Sequence, residues 1–275
     1  MRRLLLPVAL AVLAVGAAVY SRGTIRDAII EWQKPAVPSE RPAVRPTASV
    51  PTLSATTVLR PSTPTPVVQP SPTPAAGAIN LAVPFMSQAP RGDWSLPWQE
   101  ACEEASAILV DAFWRGDTLT VDEMEARINA VVAWQQSNFG FYKHTTAAQT
   151  AGILKELYGY ERVDVEYGVG VDRIAEHVRL GRPVIVPLAG RDLGNPYYTA
   201  PGPVYHMLVV KGIAENGDVI TNDVGTRHGH NLTYRPAVFE AAMHDVPTGG
   251  DDWPSGVDPV SYLNAGRPAI IVVYP

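Results

Sequence analysis

From Cys102 to Trp114 the apolar residues Ala105, Ile108, Leu109, Ala112 and Phe113 fall three and four apart, the spacing of one helix face, and Gly116 follows as a stop. Two more helices are announced by their starts. Thr120 and Glu123 form a capping-box pattern ahead of "MEARINAVVAWQQ", and Thr146 and Gln149 repeat it ahead of "TAGILKELYG", which ends at Gly159. After that the pattern changes to short apolar runs: "RVDVEYG", "RPVIVPLAG", "HMLVVKGI", "DVITNDV" and "PAIIVVYP". The third and fourth are joined by "AENG", where Asn-Gly signals a hairpin. Between the runs lie an amphipathic segment closed by Gly181, "VDRIAEHVRLG", and a further helix, "YRPAVFEAAMHD". A short first strand is read in "INLAVPF", residues 79–85. Helices grouped first and a mostly antiparallel sheet after them predict an α+β domain.

The N-terminal part follows neither period. A basic "MRR" precedes an unbroken apolar run from Leu4 to Tyr20, so residues 1–22 are read as a signal peptide or a membrane anchor. Residues 23–77 are read as a short helix followed by a Pro/Thr/Ser-rich disordered linker. Over residues 35–77 prolines recur every few positions, which predicts an extended, solvated spacer. The folded domain is placed at residues 78–275, with everything before it dispensable for folding. Either reading of the N-terminus exports the domain, secreted or held at the membrane facing outward.

Charge divides at the same place. Residues 1–77 carry 8 Lys/Arg against 3 Asp/Glu, and residues 78–275 carry 14 against 24, a balance of −10. Such a domain is a poor partner for nucleic acid. The single cysteine, Cys102, excludes an internal disulfide. An exported chain with one unpaired thiol calls for a use of it, because exposed thiols oxidise.

Cys102 heads its helix, where the macrodipole and open N–H groups favour a thiolate. Of the six histidines, only His206 begins a strongly apolar strand. The hairpin brings "TND" back alongside it, within reach of Asn222 or Asp223. Glu103 and Glu104 oppose ionisation of the thiol unless they point away. Side chains of a first turn usually splay into solvent, so the dipole and His206 are expected to prevail.

With "VPFMSQAP", "ACEEAS", "VYHMLVVKGI" and "VITNDVGT" in this order, residues 78–275 resemble the C39-like cysteine peptidases of the papain-like superfamily. The resemblance implies a papain-like fold, with Cys102 as nucleophile, His206 as base, Asp223 as the residue that orients it, and Gln88 as oxyanion donor beside the Cys102 N–H. Gln99, closer to the cysteine, is a rival for that last role. It implies a peptide or protein substrate, no cofactor and no metal. Two departures stand out: Glu103 replaces the glycine that follows the cysteine in bacteriocin-processing members, and the stretch from Gln88 to Cys102 is longer than in those enzymes.

Other readings use the same residues. The fold without turnover would be a surface-binding module, and a papain-like amidase would act on cell-wall peptides. "RHGH" at 227–230 with Asp223 suggests a metal site and "GDDWP" suggests calcium, but both fit solvated loops better. Trp94, Trp98, Trp114, Tyr197 and Tyr198 are candidates to line a cleft.

Overall fold

The computed structural model describes residues 25, 28–29, 34–44 and 77–275. The Leu4–Tyr20 run and residues 45–76 lie outside these, and among the described residues no helix is long and apolar enough to cross a membrane. The chain divides into two units, Met1–Val37 and Pro38–Pro275, and the second holds the fold.

Helix α1, Cys102–Arg115, is buried on every face from Cys102 to Trp114. It is therefore a central helix and not an amphipathic one. Gly116 ends it at φ 71°, donating its N–H to the Ala112 and Phe113 carbonyls. Helices α2, Val121–Asn138, and α3, Ala147–Gly152, open with the two capping boxes expected from Thr120/Glu123 and Thr146/Gln149. Beyond α3 the chain widens into a π turn over Ile153–Leu157. Buried Asp111 joins these helices: it accepts from Arg115 at 2.8 Å and Tyr160 Oη at 3.0 Å, and it pairs with Arg127 of α2.

The strands are β1 Ile79–Asn80, β2 Arg162–Tyr167, β3 Val184–Ala189, β4 Tyr205–Ile213, β5 Val219–Asn222, β6 His230–Tyr234 and β7 Ala269–Tyr274. They form one sheet in the order β2-β7-β3-β4-β5-β6, with β1 paired to β4 off that path. Every strand pairing is antiparallel. Strands β3 and β4 are buried along their whole length, as their near-continuous apolar runs require. Helices α4, Val171–Arg179, and α5, Pro236–Ala242, complete the layers. This is the expected α+β arrangement of N-terminal helices on an antiparallel sheet. The first strand is shorter than read, although Leu81 N still donates to Lys211 O of β4 at 2.8 Å. Strand β6 and helix α6, Pro259–Asn264, are additions to the sequence reading.

The boundary at residue 78 needs correction. Part of the proline-rich stretch is docked, not solvated. Arg41 N donates to Asn80 O at 2.7 Å, Ala82 N to Arg41 O at 2.6 Å, and Asn80 Nδ2 to Pro38 O at 3.0 Å. Arg41 and Leu81 form a parallel bridge. The reason lies in β4: Lys211 is 0% exposed, and its ammonium pairs with Glu40, which also meets His230 Nε2 at 3.0 Å. A buried ammonium stripped of its carboxylate costs about 3–5 kcal/mol.

A chain beginning at Gly77 is therefore expected to melt several degrees below one beginning at Lys34, with Lys211→Met recovering most of the difference in the shorter chain. Equal melting temperatures for the two lengths would refute the docking.

Candidate active site

The β4–β5 hairpin sets the geometry. Its register places Val209 opposite Asn222, with a bulge between Val210 and Gly212. On the other side of β4, His206 lies opposite Leu188 of β3. Just beyond the end of β5, Asp223 turns back onto the imidazole, and His206 Nε2 meets Asp223 Oδ1 at 2.8 Å, with both residues buried. Asn222, the alternative partner, is occupied elsewhere: its amide donates to Val83 O and Pro84 O at 2.9 and 3.2 Å. At Gly225 an added Cβ would sit 2.8 Å from His206 Cε1, so only glycine lets this turn close over the ring.

Asp223 gathers donors from three further segments. Oδ2 accepts from Tyr234 Oη at 2.7 Å, Tyr198 Oη at 2.9 Å and Asn195 Nδ2 at 2.9 Å, and Oδ1 also accepts from Gly225 N at 3.0 Å. Burial pushes the Asp223 carboxyl up. The charge and hydrogen bond of His206, with the bonds from Tyr234 and Tyr198, outweigh that and hold it below its ordinary value. Tyr198 also packs edge-on against the His206 ring, with centroids 5.6 Å apart. Tyr234 and Asn195 are absent from the sequence reading, and Tyr198 is in it only as a cleft aromatic. Asn195 lies 28 residues from Asp223, and no local motif joins them.

Cys102 begins α1 as expected, and its N-cap neighbour Ala101 offers no side-chain cap. The thiol lies against the backbone N–H of Met207, the residue after His206. The surroundings differ from expectation. Glu103 and Glu104 do not reach solvent, because α1 has no solvent face at its first turn; they are 1% and 0% exposed. Cys102 Sγ donates to Glu103 Oε2 at 2.9 Å, and Thr145 N donates to Glu103 Oε1 at 3.2 Å. Burial, the Glu103 charge and its hydrogen bond push the thiol well above its ordinary value, opposed by the Met207 N–H. The helix dipole does not prevail in this resting arrangement. Glu103 itself is raised to about 7, by burial first and by the Glu100 charge. Burial and Glu103 push Glu104 up as well.

Gln88 is buried, and its Nε2 donates to Trp98 O at 2.9 Å and Gln99 O at 3.0 Å. Only an NH2 group satisfies two carbonyls, so the amide orientation is set. Both donors are thus committed to the turn leading into α1, and Gln88 acts as a clamp on that turn rather than a free oxyanion donor. Gln99 is exposed and supplies only its carbonyl. His228 stacks on Tyr197 at 4.7 Å, while His230 turns to Glu40, so the two histidines of "RHGH" do not converge with Asp223. Asp251 caps the Tyr142 and Lys143 amides, each at 3.1 Å.

The Peptidase_C39 like family matches residues 80–244, more than half of the chain. The chain belongs to this C39-like peptidase family. No curated protein matches it significantly. Among solved structures it is similar to a candidate C39-like peptidase from Bacillus anthracis, at 14% identity and a TM-score of 0.44, over 72% of this chain and 98% of that one. Gln88, Cys102, His206 and Asp223 all fall within the matched part of the C39-like domain.

A carboxylate whose folded pKa lies below its unfolded value of 3.8 contributes stability above that value, and loses it as pH falls through the folded pKa. Tyr234→Phe is expected to cost about 1.5–3 kcal/mol near neutrality, the worth of a hydrogen bond to a charged group, and less as Asp223 protonates. Urea titrations across acid pH check this; a cost independent of pH would mean that the hydroxyl is not held by an ionised carboxylate.

Proposed function

We propose that this chain is an exported cysteine peptidase that works through Cys102, His206 and Asp223 and an acyl-enzyme intermediate. The observation that carries the reading is the buried His206–Asp223 contact of 2.8 Å, on the strand whose next amide touches the thiol. Because Nε2 is committed to Asp223, Nδ1 is the ring nitrogen left to exchange protons with the sulfur, the leaving amine and the attacking water. Asp223 holds the ring in that tautomer. The Cys102 N–H, at a helix N-terminus without a side-chain cap, is the proposed donor to a developing oxyanion. Gln88 joins it only if one of its two bonds to the Trp98 and Gln99 carbonyls opens.

The substrate class is peptide or protein, as the family suggests. The apolar run from Leu4 to Tyr20 after a basic start supports work outside the cytoplasm, with the domain secreted or held at the membrane. The −10 balance of residues 78–275 argues against nucleic acid as a partner.

One observation favours a second reading. The thiol is turned toward Glu103 and raised, as suits a non-catalytic surface-binding module on the same fold. Cleavage of an unfolded protein substrate separates the two. Cys102→Ala and His206→Ala are expected to lower kcat by at least about a thousandfold. His244→Ala, whose ring meets Gly266 O at 3.1 Å, keeps most of the activity. Unimpaired cleavage by Cys102→Ala refutes the peptidase reading, and absence of cleavage by the wild-type chain favours the binding module.

A further inference from the structure

Glu100 ends the turn before α1, with only Ala101 between it and Cys102. Its side chain is 27% exposed, while Glu103 and Glu104 behind it are buried. Among the described residues the Glu100 carboxylate accepts no hydrogen bond, and its one contact with a basic side chain is to His144 Nδ1 at 4.0 Å. Burial, and then the Lys143 charge, lower His144 to about 4, so near neutrality that ring supplies no charge. Lys143 acts on Glu100 through its charge and forms no ion pair with it among the described residues. Burial raises the Glu100 carboxyl in spite of Lys143. Glu104 keeps both oxygens without a partner among the described residues, and the charges of Glu103 and Glu100 act on it. Three carboxyl groups thus share one corner, and the outermost of them has no cation bound to it.

An aromatic wall stands beside that outermost acid. His144 lies at φ 44°, and its ring stacks on Trp253 at 4.4 Å with Tyr205 edge-on at 6.4 Å. Two ties hold the wall in place. Asp251 accepts from the Tyr142 and Lys143 amides, each at 3.1 Å. Gly249 lies so close to the same loop that an added Cβ would fall 3.0 Å from His144 O. Trp253 is half-buried and packs on the core. The loop before α3 and the 249–253 loop therefore bring an aromatic surface to the side of Glu100.

We propose that Glu100, with the His144–Trp253 stack, is a specificity subsite for a cationic side chain, Arg or Lys, beside the scissile bond of the substrate. The proposal deepens the peptidase reading and rests on Cys102 marking where the scissile carbonyl sits.

Position and chemistry agree. Because Glu100 is so near the nucleophile in the chain, the substrate residues within its reach are those next to the bond under attack. A long basic side chain can lay its methylene stem on the aromatic surface while its head meets the carboxylate. Trp253 adds attraction for the cation through its ring. Arg suits the site best, since its planar fork gives two N–H groups to one carboxylate and stacks on rings. A Gln side chain brings no charge, and a Glu side chain meets repulsion from Glu100 with Glu103 and Glu104 behind it. The −10 balance of residues 78–275 draws basic peptides toward the domain as a whole.

Two measurements test the subsite with blocked peptides of a Gly/Ala background and one central Arg, Lys, Gln or Glu. The first is kcat/KM of the full chain for cleavage next to that central residue. The second is the Kd for the Cys102→Ala chain, which binds without turnover. In both, the Arg and Lys peptides are expected to exceed the Gln peptide by at least about tenfold, the worth of a charge-assisted hydrogen bond. Glu100→Gln is expected to bring that ratio to about one, and Glu100→Lys to invert the preference toward Glu. A wild-type ratio near one overturns the proposal, and so does a ratio that survives Glu100→Gln. A loss shared equally by all four peptides overturns it too, because Glu100 would then only shape the turn. Should Glu100→Gln fail to fold, Glu100→Lys decides by the presence or absence of inversion. Failure of the wild-type chain to cleave any peptide counts against the peptidase reading instead, and the Kd ratios still judge the subsite.

Discussion

A carboxylate sealed from water is the constraint around which this site is arranged. Ionised Asp223 has no solvent to stabilise it, and an unpaired charge in that position would cost several kcal/mol. The fold answers with donors from four places: His206 on β4, Tyr234 on β6, Asn195 and Tyr198 on the loop after β3, and the Gly225 amide of its own turn. Each donor must arrive within hydrogen-bond distance of two oxygens. The hairpin register, the third strand of that corner and the loop conformation are therefore mutually dependent. The His206 ring is positioned as a by-product of satisfying Asp223.

The other half of the site is built on the opposite principle. At the start of α1 the carboxylates of Glu103 and Glu104 are buried with few donors, and both Glu104 oxygens lack a partner among the described residues. Protonation is the available relief, and that is the direction in which burial moves both groups. One side of the site thus favours the anion of its acid, and the other raises the proton affinity of its acids. Environment alone separates their roles.

Legibility in the sequence followed the range of the interactions involved. The capping boxes at Thr120 and Thr146 depend on residues three apart, and both were readable. Strands β3, β4 and β7 were readable as apolar runs because they are buried on both faces. Strand β6 was missed: its burial alternates only partly, and Asn231 stands at φ 53° within it. Helix α6 carried an unused signal, Asp258 followed by Pro259, with the aspartate capping Ser261 N at 2.9 Å. The hairpin put Asn222 or Asp223 within reach of His206, and the fold decides for Asp223. The fate of Glu103 and Glu104 was not legible, because whether a first turn faces water depends on which elements cover it, and that is a tertiary fact.

The docked segment at residues 38–44 changes what the proline-rich stretch is in mechanical terms. Arg41 lies beside Asn80 and Leu81, so two segments distant in sequence share one edge of the domain. A pull on the N-terminus is delivered at Pro38–Arg41, as shear on a short parallel bridge and on the Glu40–Lys211 pair. Because Arg41 and Leu81 are bridged, the length of chain between them enters stability as a loop-closure entropy that grows slowly with length.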